Sequence, residues 1–208
     1  MSTDHSRLNR LKALPRQPGE ASFFYHDAHF RNDAVKLMAG EYFVHDDDDI
    51  LLTTTLGSCI ATCLWDPETR VGGMNHFMLP GGDANSGRYG SYAMELLINE
   101  MMKRGARRET LEAKVFGGGQ MIQGVDSMNI GERNTVFAVD YLKTERIPIV
   151  SRDVLGGYAR KVCFLPATGK AMVKRLIPHN REAPQARDSD EAQRAGRANS
   201  DGGSADFF

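Results

Sequence analysis

The sequence predicts an α+β fold, a layered sandwich of mostly antiparallel sheet with two helices packed on it. Three observations point there. Short runs rich in β-branched and aromatic residues outnumber helical stretches. One turn-rich segment joins two such runs as a hairpin. Only two stretches space their apolar residues at helical intervals.

The elements follow in order. Glu41 to His45 and Ile50 to Thr55 read as strands, separated by the solvated acidic turn Asp46 to Asp49. Gly57-Ser58 then breaks the run. Cys59 to Trp65 and Val71 to Leu79 flank Asp66-Pro67-Glu68-Thr69-Arg70, which is turn chemistry. Tyr89 to Arg104 reads as an amphipathic helix, with Gly105 as its stop. Leu111 to Phe116 is a strand running into Gly117-Gly118-Gly119. Glu132 to Glu145 is the second helix, and Ile147 to Ser151 a further strand. Arg160 to Leu165 and Lys170 to Leu176 close the domain as a hairpin around Pro166-Ala167-Thr168-Gly169.

The domain is expected over residues 21–178, between a disordered segment 1–20 and a disordered polar tail 179–208. The 208 residues allow one core of roughly 150 residues plus tails. A net charge of -1 gives no field for nucleic acid or an anionic membrane. No apolar run approaches the ~20 residues of a membrane span, and the polar N-terminus has no signal-peptide core. The cytoplasm is the expected compartment. Cys59, Cys63 and Cys163 form no C-x-x-C pair and are expected to be free thiols.

The hairpin carries the chemical inference. If Asp66 opposes Val71, Ala61 faces His76 and Cys59 faces Met78. Cys59 and His76 then share a face as diagonal neighbours, about 7 Å apart at the backbone. A one-residue slip would turn His76 away. An imidazole can take a thiol's proton, and the sulfur can attack a carbonyl carbon. Gly57 and Ser58 suit a bend that exposes the sulfur, with N–H groups for an oxyanion. Cys63 and Cys163 sit mid-strand and read as small core residues.

Other features carry less. Gly117-Gly118-Gly119-Gln120 lacks the spacing of a nucleotide loop; Gly118 and Gly119 read as a strand end that substrate can approach, or as a simple turn. His26-Asp27-Ala28-His29 lacks further metal ligands, and the surrounding Phe23, Phe24, Tyr25 and Phe30 read as an arm packed on the core. Met74, Met78, Met101, Met102 and Met121 read as core filling, with an adaptable groove for a helical partner as the alternative. Phe207-Phe208 reads as an accident of the tail, with a docking tip for a partner as the alternative. No cofactor or metal is expected.

The stretch Thr53-Thr54-Thr55-Leu56-Gly57-Ser58-Cys59-Ile60-Ala61-Thr62-Cys63, then Gly72-Gly73-Met74-Asn75-His76-Phe77-Met78-Leu79-Pro80, resembles the CheD family of chemoreceptor glutamine deamidases. The match continues in Lys114-Val115-Phe116-Gly117-Gly118-Gly119, in Asn129-Ile130-Gly131-Glu132-Arg133-Asn134, and in Gly156-Gly157 followed by Arg160. It spans roughly residues 24–178. The resemblance implies a fold like the deamidase domain of cytotoxic necrotizing factor toxins. It implies hydrolysis of glutamine side chains on methyl-accepting chemotaxis receptors, contributing to adaptation. It makes Cys59 the nucleophile, His76 the base and Thr53 the residue that orients the imidazole, with Thr55 the stronger of the two neighbouring rivals. It also implies a CheC-type phosphatase partner in some bacteria. The alternative class is a non-catalytic adaptor that binds such a phosphatase or the receptor.

Overall fold

The computed structural model describes residues 6–81, 86–120, 130–177 and 206–207. Its elements are α1 (Ser6–Ala13), β1 (Phe23–Asp27), β2 (Asn32–Lys36), β3 (Tyr42–His45), β4 (Ile50–Leu56), β5 (Ile60–Asp66), β6 (Val71–Asn75) and α2 (Gly90–Lys103). β7 (Glu112–Gly117), α3 (Ile130–Thr144), β8 (Ile149–Val154), β9 (Ala159–Leu165), β10 (Lys170–Leu176) and β11 (Asp206–Phe207) follow.

The strands form two sheets, ordered β1-β2-β4-β9-β10-β11 and β3-β6-β5-β7-β8. The pairs β2–β4 and β7–β8 are parallel, and the other ladders among the described residues are antiparallel. The sheets stack face to face over a core that includes Phe43, Leu52, Leu56, Phe116 and Phe164. A second core lies on the outer face of the five-stranded sheet, where Ile60, Leu64, Phe77 and Val115 meet Met94, Leu97 and Ala138 of α2 and α3. The result is an α+β sandwich with α2 and α3 on one outer face and α1 packed beside β1.

Residues 6–20 depart from the disordered segment expected of 1–20. Leu8 and Leu11, three apart on α1, are 6% and 8% exposed and join the inter-sheet core. Arg16 lies 4.4 Å from the Phe24 ring centroid and extends the contact beyond the helix. The expected aromatic arm is the hairpin β1–β2. Its turn is held by Asp27 Oδ1, which accepts the N–H groups of His29 (3.0 Å) and Phe30 (3.2 Å). Phe24 is buried, while Phe23 is exposed. Of the expected disordered tail, residues 179–205 and 208 lie outside the described residues. Asp206 and Phe207 pair with Val173 and Met172 at the edge of β10. No helix of the described residues is long and apolar enough to cross a membrane.

Candidate active site

The hairpin register falls where the turn chemistry puts it. Asp66 opposes Val71 and Cys63 opposes Met74. Asp66 closes the turn through its carboxylate, which accepts the Glu68 N–H (2.9 Å) and the Thr69 hydroxyl (2.9 Å). Beyond β6 the pairing continues at Ile60 and Phe77, which exchange both backbone hydrogen bonds at 3.0 and 2.9 Å. Gly72-Gly73 introduces no bulge. Cys59 and His76 are therefore same-face diagonal neighbours across the Ile60–Phe77 pair. Cys59 packs against the inter-sheet core that holds Ala61 and Met74, the residues of its own face.

Cys59 stands where the chain leaves one sheet for the other. β4 belongs to the six-stranded sheet and β5 to the five-stranded one, so Gly57-Ser58-Cys59 is the crossover. Its three successive carbonyls are all held. Gly57 O accepts the Gly119 N–H at 2.8 Å, and Cys59 O accepts the Gly118 N–H at 2.8 Å. Ser58 O accepts from Asn134 Nδ2 at 3.0 Å. In a planar trans peptide the next residue's N–H points opposite to the carbonyl. The Ser58 N–H is thereby turned away from Gly119, and the Cys59 N–H away from Asn134. Among the described residues, no backbone acceptor takes either of them.

The glycine segment is thus occupied with the bend. Gly118 and Gly119 spend their N–H groups on it. Gly117 has φ +111°, and a Cβ there would come within 2.1 Å of Cys59 O. That approach explains a glycine at the strand end. A buried ion pair backs the segment. Arg160 is 0% exposed and donates to Asp153 Oδ1 at 3.0 Å and to the carbonyls of Leu155 and Tyr158. The β8–β9 loop that it pins is tied to the glycine strand through Leu155 N–H to Gly117 O (2.9 Å) and Gln120 N–H to Gly156 O (2.8 Å).

His76 is 6% exposed. Its Nδ1 lies 2.9 Å from Thr54 Oγ1, and Thr54 Oγ1 donates to Leu37 O at 2.9 Å. A hydroxyl has one proton to give. With that proton on Leu37 O, Thr54 accepts from His76, so Nδ1 carries the imidazole hydrogen and Nε2 keeps its lone pair. Among the described residues Nε2 is buried with no hydrogen-bond partner. Burial pushes the imidazole pKa down to about 4, against a smaller upward pull from the Leu37 backbone. Burial also pushes the Cys59 thiol up, partly offset by its own backbone N–H. Both shifts favour a neutral thiol beside a neutral imidazole over a resting ion pair.

Thr53, expected to orient the imidazole, lies on the opposite face of β4. Its hydroxyl is 3.1 Å from Tyr25 Oη on the outside of the six-stranded sheet. Thr55 shares that outward parity and is exposed. Strand alternation sends Leu52, Thr54 and Leu56 inward, and Leu52 and Leu56 line the inter-sheet core. Thr54 is the threonine that meets His76. Leu56, the last apolar residue before the bend, shares parity with Thr54, but Ile50-Leu51-Leu52 is apolar on both faces and masks that signal. Asn134, Arg160 and Asp153 lay outside the expected site. The first two fall in the motifs that carry the resemblance; Asn134 reaches partners far along the chain, while Arg160 and Asp153 pair across the short β8–β9 loop, and no periodicity shows either contact. Of the His26-to-His29 motif, His26 Nδ1 meets Asp33 at 3.2 Å. Among the described residues no group of His, Cys, Asp and Glu could hold a metal ion.

Comparison with known proteins adds the following. The family profile described as CheD chemotactic sensory transduction matches residues 78–175. A protein of Albidiferax ferrireducens named "probable chemoreceptor glutamine deamidase CheD 1" is 58% identical over 98% of this chain and 87% of its own. Similarly named CheD proteins of Xanthomonas campestris pv. campestris and Bordetella avium are 54% and 49% identical. They cover 76% and 82% of this chain, and 81% and 77% of their own lengths. Among solved structures, the Bacillus licheniformis hypothetical protein YfiH superposes with a TM-score of 0.41 at 12% identity, over 58% of this chain and 52% of that one.

Proposed function

The chain belongs to the CheD family, and from that membership we propose that it hydrolyses selected glutamine side chains of methyl-accepting chemotaxis receptors to glutamate, contributing to adaptation in the cytoplasm. One observation of the site supports the chemistry above the others. The Thr54–His76 bond leaves Nε2 as an unpaired base nitrogen on the face that carries Cys59.

The steps follow from that arrangement. The resting pair is neutral, so the proton moves as the sulfur attacks. Nε2 takes the thiol hydrogen while Sγ bonds to the carboxamide carbon. The developing oxyanion meets the Ser58 and Cys59 N–H groups, and each such donor is worth about 3 kcal/mol in the transition state. The imidazolium then protonates the amide nitrogen. The C–N bond breaks, ammonia leaves and a thioester remains. Nε2 next deprotonates a water that attacks the thioester. The sulfur departs, recovers the proton, and glutamate is released. Thr54 keeps Nδ1–H engaged throughout, which holds Nε2 as the working nitrogen.

Ammonia release from a purified receptor tests the reading. Wild type should liberate ammonia and Cys59→Ala should liberate none. A wild type inert on several receptors would leave the adaptor class standing. A CheC-type phosphatase partner and a fold like the deamidase domain of cytotoxic necrotizing factor toxins belong to the same proposal. Co-sedimentation with the phosphatase and superposition on the toxin domain test them.

A further inference from the structure

Asn134 is 0% exposed and sits on the first turns of α3. Its Nδ2 donates to Ser58 O at 3.0 Å and to Met78 O at 2.7 Å. These carbonyls belong to the two segments that carry the thiol and the imidazole. Two carbonyl acceptors require the nitrogen there, because the oxygen would face both with no hydrogen to give. Both amide hydrogens are thus committed.

The location sharpens the point. Ile60 and Phe77 form the last pair of the hairpin ladder that exchanges bonds. One step further the strands part. The Met78 and Leu79 N–H groups turn to Arg88 O at 2.9 and 3.1 Å, while Ser58 enters the crossover. The Asn134 carboxamide stands in the opening and bridges the two strands where their own hydrogen bonds stop. Cys59 follows Ser58 directly, and Met78 lies two residues past His76.

We propose that Asn134 is a positioning residue for deamidation: its carboxamide fixes the spacing between the Cys59 and His76 segments and turns the Ser58–Cys59 peptide so that the Cys59 N–H faces the substrate. The proposal rests on the reading of Cys59 and His76 as nucleophile and base. The requirement is for two donors on one atom. Leucine fills the volume and supplies none. Aspartate keeps the shape but sets a carboxylate against two carbonyl oxygens, which costs more than an empty contact. Asparagine is the side chain of this length that satisfies both acceptors.

The test uses the full chain carrying Asn134→Leu, with Asn134→Ser, a smaller side chain that keeps one donor, as the second variant should the first fail to fold. Two readouts are taken on folded protein. On receptor substrate, kcat should fall about tenfold or more while KM stays within roughly twofold, because the lost contact acts on the reacting geometry. Without receptor, the pH profile of Cys59 alkylation by iodoacetamide should move from that of wild type, because the peptide beside the sulfur has turned. A wild-type kcat, a loss confined to KM, or an unchanged alkylation profile each overturns the proposal and leaves the deamidase reading intact. Failure of that reading is seen separately, as a wild type that releases no ammonia, and it removes this proposal too.

Discussion

A single hydroxyl decides which nitrogen of His76 can act. Thr54 gives its proton to Leu37 O and receives one from Nδ1. Thr54→Val removes the acceptor and should lower kcat about tenfold or more with little change in KM, in steady-state kinetics on receptor. Thr53→Val loses only the contact with Tyr25 Oη. It should cost about 1 kcal/mol in denaturant unfolding and leave kcat unchanged. The titration of His76 gives a stability prediction. Its folded pKa is about 4 against an ordinary 6.5, so the unfolded chain binds the proton more readily. Stability should therefore fall as pH drops from 6.5 through 4, by up to about 3 kcal/mol in total. The same step should be absent in His76→Gln, whose side chain does not titrate. Wild type losing no more stability than His76→Gln over that range would contradict the buried neutral imidazole.

At the scale of elements, the crossover between β4 and β5 depends on the strand end of β7 and on the loop behind it. Gly117→Ala should displace the Cys59 carbonyl, since the added carbon would meet it at 2.1 Å on a left-handed backbone. Lower thermal stability and slower deamidation should appear together. Arg160→Ala should be worse for stability. Among the described residues it leaves Asp153, 7% exposed, with only the more exposed Arg175 at 3.1 Å, and a broken buried pair costs about 3–5 kcal/mol. Chemical denaturation reads that loss directly. The hairpin was legible in the sequence because Asp66 and its turn set the register locally, and Cys59 and His76 came with it. Thr54 was not, because Ile50-Leu51-Leu52 is apolar on both faces and hides which face of β4 is inward. Asn134 reaches partners far along the chain, and Arg160 closes on Asp153 and Leu155 across a loop; periodicity carries neither kind of information.

Across the whole molecule, the α+β class and the two main helices were readable from periodicity, and most strands came within a few residues. The division into two stacked sheets was not. Gly57-Ser58 reads as a bend whether the chain stays in one sheet or crosses to another. α1 was hidden for a different reason. It contributes only Leu8 and Leu11 to the core among basic neighbours, so composition marks it as solvated while packing orders it. Removing residues 1–14 should therefore lower the melting temperature of the domain, since two buried leucines are worth about 1.5–3 kcal/mol each. The truncated chain should keep its Cys59 chemistry, because α1 packs beside β1 and not at the crossover. An unchanged melting temperature would mean that α1 adds nothing to the fold.

The central claim is that Cys59 attacks a receptor glutamine and carries the thioester. Wild-type enzyme should be mixed with receptor, quenched in acid during turnover, and digested for peptide mass spectrometry. A glutamyl adduct on the peptide containing Cys59, absent from Cys59→Ala, is the predicted result. Glutamine converted to glutamate by the Cys59→Ala protein would contradict it.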